Sequence, residues 1–388
     1  MVSDENIISR RFSALHLAHR SPAEEAPTVC APIGLSASHD HQVNVQFASR
    51  IIDHQPRVTE SLQSAGHLIV IGEANGTARL LRWDDLGLFT RALAPRDAQE
   101  LDFMVEDWMS LFSVLGSTPY EMLSLMRDVL FEVVGDRRLS TDQLNRALLE
   151  AMQLRLSSAK QEVFTWPGLS EPQRTIGEQV VSVMLPIAIR FIPLRLRTDP
   201  KGIGFLHEIV SIDSGSDATE EAEVVRRFLR AFAPADIDDF ARFACLSHDH
   251  AVRLWNHVSM DELIGVLHHQ KEGWMLADDH DVVGDFEGLR FLSANDPLLQ
   301  GRHRDLLIHG KTQHSYFFRN EDPPGMVLAD GQCIAGWRMR HNRDAIAFVI
   351  EDIGESLGKV ALDELEEEAE RVATAVGLRC DSVMVTSL

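Results

Sequence analysis

Cysteine is scarce: Cys30, Cys245, Cys333 and Cys380 are the only four in 388 residues, far apart and with no C-x-x-C. That scarcity argues against a zinc ribbon, a redox dithiol or a secreted disulfide framework, and it fits a reducing cytoplasm. Long apolar runs are missing too. The most apolar stretch, VVSVMLPIAIRFIPL from Val180 to Leu194, is interrupted by Pro186, Arg190 and Pro193, well before the ~20 residues a membrane span requires. It reads as a buried helix running into a strand. The N-terminus, MVSDENIISRRFSALHL, sets two acids before its arginines and never reaches a continuous apolar core, so it does not read as a signal peptide. No G-x-S-x-G supplies a nucleophile elbow. GIGF (Gly202 to Phe205) lacks the later glycine and the helix of a dinucleotide loop, and no cofactor is expected.

Positive charge is also short: 37 Lys and Arg stand against 59 Asp and Glu, a net charge of −22. Phosphate binding draws much of its affinity from cations that release counterions, so the overall balance argues against a nucleic-acid partner. The distribution is uneven, however. Between Pro186 and Phe205 lie Arg190, Arg195, Arg197 and Lys201 against Asp199 alone, whereas nine acids face Lys359 alone between Glu351 and Glu370. A basic ridge on an acidic body can bind a polyanion weakly and with steep salt dependence.

What is present is an ordinary globular composition, 45% hydrophobic and 25% charged, in a chain long enough for several cores. Helical periodicity dominates the first two-thirds, and three helical groups each end in a short β-like pair. The clearest group starts at TEEAEVVRRFLRAF (Thr219 to Phe232) and continues through PADIDDFARFAC, the turn LS, HDHAVRLWNHV, and a hairpin in DELIGVLHHQKEGWMLAD turning at Lys271 to Gly273. That order of elements is a winged helix. The middle group repeats it, with RFIPLRLRT and GIGFLHEIVSI as its wing, so the basic ridge falls on a predicted wing. After Val283 the pattern turns to strands, with Asp330-Gly331 a type I′ hairpin signal and a final amphipathic helix. The expected fold is α+β, mostly α: three tandem winged helix-turn-helix domains at 1–105, 106–213 and 217–283, then a β-rich, barrel-like domain at 284–388.

Two His-x-His pairs, in GLSASHDH (Gly34 to His41) and SHDH (Ser247 to His250), have the look of metal ligands. Residues i and i+2 on a helix point about 200° apart, so the geometry favours serine caps at Ser38 and Ser247 over chelation. His268-His269 falls on a strand with one ring to each face and defines no ligand set. No metal is expected. On the helix HDHAVRLWNHV, Arg253 and Asn256 are of the types that read guanine and adenine edges, while Trp255 reads as core.

Several segments together resemble the winged-helix DNA glycosylases of the AlkZ/YcaQ type: GLSASHDHQVNVQFASRI, GTARLLRWDDLGLFTRALAPR, EVVRRFLRAFAPADIDDFARFACLS, and FLSANDPLLQGRHRD with VLADGQCIAGW. The resemblance implies double-stranded, alkylated DNA as partner and hydrolysis of an N-glycosidic bond. In that family a Gln-x-Gln or Gln-x-Asp pair follows Gly-Leu; here the positions hold Ser36 and Ser38. The family's G-T-L-H reads G-T-A-R and ends in Arg79. A hydroxyl is shorter by an amide arm and is no general base at neutral pH. Two DNA-binding readings therefore stay open, a glycosylase and a non-enzymatic lesion sensor or regulator. A third, from another class, is a protein-interaction or small-molecule sequestering module.

Overall fold

Helices open where the sequence supplies a capping side chain, and the computed structural model shows them in the order the periodicity implies. It describes the chain except for residues 1, 38–40, 74–76, 199–204, 212–216, 280–285, 287, 301–303, 309, 320–321, 343, 355–356 and 388. In chain order come α1 (Asp4–Ala14), α2 (Ala26–Val29), β1 (Leu35–Ser36), α3 (Gln42–Ala48), α4 (Pro56–Ser64), β2 (Leu68–Gly72), β3 (Ala78–Arg82) and α5 (Leu86–Phe89). A helical block follows: α6 (Ala98–Met104), α7 (Met109–Leu115), α8 (Pro119–Val134), β4 (Leu139–Ser140), α9 (Thr141–Arg155), α10 (Ser158–Phe164) and α11 (Ile176–Ala188). The hairpin β5 (Leu194–Thr198) and β6 (Phe205–Ile209) closes it. Capping boxes at Thr118, Ser140 and Thr175 start α8, α9 and α11, each satisfying donors that a helix start leaves open.

The third group is α12 (Ala218–Phe232), α13 (Ile237–Ala244), α14 (His248–Trp255) and the hairpin β7 (Leu263–His268) with β8 (Lys271–Leu276). It has the winged-helix order read in the sequence, but the hairpin turns at His269 and Gln270, both with positive φ, two residues earlier than expected. Ser247 accepts from the His250 N–H and caps α14. The other expected cap differs: α3 starts at Gln42, with His41 in the cap position and no side-chain cap bond. Ser38 lies outside the described residues.

Two features were not legible. The hairpins β2–β3 and β5–β6 are joined into one six-stranded sheet, ordered β1-β3-β2-β5-β6-β4, through the antiparallel partners Ile71 and Arg195. The first two wings are therefore halves of one surface. Helix α1 also leaves its neighbours in sequence: Phe12 and Leu15 enter the core built by Phe228, Phe232 and Phe240 of α12 and α13.

The last quarter holds β9 (Leu289–Leu292), α15 (Lys311–Phe318), β10 (Gly325–Ala329), β11 (Gln332–Asn342), β12 (Ala345–Asp352), α16 (Leu362–Ala375) and β13 (Arg379–Ser387). The sheet runs β13-β12-β11-β10-β9 and does not close, so the barrel-like expectation is corrected to an open sheet with α16 packed on one face. Asp330 and Gly331 both take positive φ at the β10–β11 turn, as a type I′ turn demands. Strand β13 pairs parallel to β12, and its residues are mostly exposed, which leaves little periodic signal for it in the sequence. No helix among the described residues is long and apolar enough to cross a membrane.

One buried ion pair fastens the ends of the chain together. Arg50, just past α3, meets Asp296 in a bidentate pair at 2.7 and 2.8 Å, with side chains 1% and 0% exposed. Its remaining donors reach the Leu15 carbonyl, the Gln46 carbonyl and the Ser49 hydroxyl. Removing one partner leaves an uncompensated buried charge, so Asp296→Ala is expected to cost about 3–5 kcal/mol. Urea unfolding of the variant checks this; a loss below about 1 kcal/mol contradicts it.

Candidate functional site

The family-motif strand β1 is held by backbone geometry before any side chain is considered. Gly34, at φ +72°, precedes it, and a Cβ there would lie 2.5 Å from the Leu80 carbonyl oxygen; only glycine suits both the left-handed conformation and the approach. Ser36 is buried, and the carboxamide of Gln46 clamps its backbone. The Ser36 N–H donates to Gln46 Oε1 at 3.1 Å, and Gln46 Nε2 donates back to the Ser36 carbonyl at 2.7 Å. Ser36 pairs with Arg79 on β3, and Arg79 in turn with Ile71 on β2. One step further along, Ala37 N–H donates to the Ala78 carbonyl and Glu73 N–H to the Thr77 carbonyl, both at 2.8 Å. The motif and the β2–β3 turn thus share one end of the sheet, two strand spacings or roughly 10 Å apart.

At that end sits Glu73, a residue the sequence reading passed over. Arg79 donates to Glu73 Oε1 at 2.7 Å and the Thr77 hydroxyl to Oε2 at 2.8 Å. Arg79 also donates to the Ile33 carbonyl at 2.7 Å, and its guanidinium lies 5.8 Å from the centroid of the Phe243 ring. Burial alone would raise the Glu73 carboxyl. The charge and hydrogen bond of Arg79, with help from Thr77 and Arg190, outweigh it and hold the group below the usual carboxylate range. It is ionised at neutral pH and still 23% exposed.

Glu73 faces a cleft of about 790 Å³ between the β2–β3 turn, α9, α11 and the β5–β6 hairpin. Asp142, Glu178, Arg146 and Arg174 line it, with an apolar wall from Val181, Leu185 and Ile189. His207 contributes an imidazole that burial pushes down to about 4, so it enters neutral, 3.1 Å from the Thr141 hydroxyl. Glu178 and Arg174 are partly spent on the start of α11, which leaves Glu73 as the carboxylate presented by the sheet.

The expected DNA contacts are placed unevenly. Arg190, expected on an exposed ridge, is 6% exposed; its guanidinium donates to the carbonyls of Leu93 and Ala244. There it joins the end of α11 to the 3-10 turn after α5 and to the end of α13, and it is corrected from phosphate contact to internal strut. Its charge, pulled down to about 10 by burial, instead helps to hold Glu73 ionised. Arg195 and Arg197 do lie on the hairpin and, with Arg138, surround the single carboxylate of Glu208 at 2.9–3.1 Å; Arg195 also stacks on Trp83. Three cations against one anion leave a positive spot. Lys201 lies outside the described residues. Arg253 is bound to Glu100 at 2.8 Å and Glu221 at 3.0 Å, so only Asn256 of that pair is exposed at the end of α14. Trp255 is buried against Phe240.

His39 lies outside the described residues, and the other three histidines of the two His-x-His pairs do not converge. His41 stacks on His341 at 5.5 Å, His248 meets Asp238 at 2.7 Å on the surface, and His250 is fully buried, pushed by that burial down to about 4.

Helix-helix-helix-hairpin units, the first two fused through a common sheet with a cleft at its end, define a tandem winged-helix protein. The chain belongs to the AlkZ-like DNA glycosylase family: the family model described as DNA glycosylase AlkZ-like matches residues 34–375, beginning at the glycine that precedes β1. Among solved structures the fold is similar to that of Streptomyces sahachiroi DNA glycosylase AlkZ, with a TM-score of 0.71 and 17% identity over 99% of this chain and 100% of that one. Comparison with curated proteins returns no match. The family makes DNA the class of partner.

If Arg79 is what keeps Glu73 ionised, removing Arg79 changes how the stability contributed by Glu73 depends on pH. Glu73 stabilises the fold above the unfolded carboxyl range near pH 4.3, and that contribution is lost as pH falls through its lowered folded value. Arg79→Met leaves burial opposed only by Thr77 and Arg190, so the stability gap between wild type and variant is expected to shrink as pH falls from 7 to 4. Urea unfolding across that range measures the gap; a gap independent of pH rules the coupling out.

Proposed function

We propose that this protein docks on duplex DNA and admits a cationic N-alkylated base to the cleft beside Glu73, where the carboxylate takes over the work of the absent glutamine pair. The observation that carries this reading is an ionised, partly exposed carboxylate at the sheet end that also carries the family motif. Alkylation at a ring nitrogen gives the base a positive charge and makes it a good leaving group. Positive charge then develops on the sugar as the N-glycosidic bond lengthens. A fixed carboxylate stabilises that charge and can take a proton from the attacking water. A cleft of about 790 Å³ has room for a nucleotide turned out of the stack, and the Glu73 carboxylate on its wall favours a cationic base over neutral ones. We assign phosphate contact to Arg138, Arg195 and Arg197. With a net charge of −22, DNA affinity rests on few cations and falls with salt.

A lesion-binding protein without hydrolysis is the second reading, favoured by one fact: Ser36 is buried and its backbone is clamped, a poor position from which to hold water against a sugar. Release of base from duplex carrying N7-methylguanine, in low salt, separates the two. Wild type is expected to release base, Glu73→Gln to lose roughly 100-fold or more, and Ser36→Ala to match wild type. Binding without release by wild type rejects the enzyme and leaves the binder.

A further inference from the structure

The third hairpin carries a cluster unrelated to the cleft. We propose that Asp4, His268 and His269 form a site for one divalent transition-metal ion of the zinc type, which fastens the start of α1 to the tip of the β7–β8 hairpin. On a regular strand the two neighbouring rings would point to opposite faces. Here the chain reverses at His269 and Gln270, with φ of 45° and 64°, and the rings stack instead, centroids 4.2 Å apart and planes 19° from parallel.

Both rings direct Nε2 at the same carboxylate. His268 Nε2 lies 2.7 Å and His269 Nε2 3.0 Å from Asp4 Oδ1, and the three ligand atoms all fall within 4.8 Å of one another. Zinc bonds to imidazole nitrogen and carboxylate oxygen at 2.0–2.2 Å, so neighbouring ligand atoms of a tetrahedral set lie about 3.3 Å apart. Side-chain rotations of a few tenths of an ångström open the cluster to that spacing. Two imidazoles and a carboxylate suit zinc, copper or nickel rather than magnesium or calcium. Three protein ligands leave a fourth position for water.

The surroundings suit a fastening role. His268 is 4% exposed and fixed at the strand end, whereas His269 is 70% and Asp4 44% exposed, so an ion enters from solvent. The Val2 N–H donates to the Leu267 carbonyl at 3.3 Å, and Ile7 packs with Val2 and Leu306 close by, so the N-terminal segment already lies along the hairpin. The ion adds a coordinate closure to a contact already made by the Asp4–histidine pairs, the Val2–Leu267 backbone bond and a small apolar cluster.

The full-length protein, stripped with chelator, is titrated with zinc alone and then with cobalt, whose visible absorption reports four-coordinate binding. One tight equivalent is expected in wild type. Because His269 is exposed, His269→Ala should stay folded. It should lose that equivalent by more than the roughly 10–100-fold that removal of an outer-shell partner costs, and Asp4→Asn should weaken it. Zinc should raise the melting temperature of wild type and not of His269→Ala. Wild type taking up no tight equivalent, or wild type and His269→Ala taking up the same number with the same melting shift, overturns the site.

Discussion

The pairing of Arg50 with Asp296 is the contact on which the rest of this structure hangs. The two residues are 246 positions apart and almost wholly buried. A buried pair of this kind is costly to assemble and costlier to break, so it specifies one arrangement more than it adds net stability. Arg50 ends the turn after α3; α3 carries Gln46, and Gln46 clamps the backbone of Ser36. Ser36 sets β1 against β3, and β3 delivers Arg79 to Glu73. A contact between the first and last quarters of the chain thus helps to fix a carboxylate in a cleft that the last quarter does not line. Both ends of the pair fall in segments that carry the family resemblance, QFASRI and FLSANDPLL, and this gives those segments a mechanical reason to be alike.

Charge in this molecule is arranged locally against its own excess. The net −22 conceals arginines committed inside the molecule: Arg190 to backbone carbonyls, Arg253 to Glu100 and Glu221, Arg79 to Glu73. Buried guanidiniums act here as struts between helical units, and two of them also keep Glu73 ionised. The cleft lining mixes Glu73, Asp142 and Glu178 with Arg146 and Arg174, so the proposed preference for a cationic base rests on Glu73. The positive spot around Glu208 is separate from it, on the hairpin. On the proposed reading, backbone contact and base selection fall to different surfaces of one sheet.

The sequence made the winged-helix order, the Ser247 cap, the Asp330-Gly331 turn and the buried Trp255 legible, because each rests on local periodicity or turn chemistry. It could not show the pairing of Ile71 with Arg195, since register between distant strands leaves no local trace. For the same reason Arg190 read as part of an exposed ridge: its neighbours alternate outward, but it belongs to the turn after α11, where the chain dives into the core. Glu73 was missed because it lies in a hairpin turn rich in small residues, and only the register brings Thr77 and Arg79 to it. The strand β13 had too little buried surface to declare itself.

The central claim is that a fixed carboxylate at the end of the shared sheet selects a positively charged base. The direct measurement compares the affinity of the protein, at one low salt concentration, for a duplex carrying a single N7-methylguanine and for the same duplex with guanine, in wild type and in Glu73→Gln. The account predicts tighter binding of the methylated duplex by wild type and loss of that preference in Glu73→Gln, with affinity for the plain duplex little changed. Equal binding of both duplexes by wild type, or a preference that survives in Glu73→Gln, contradicts it.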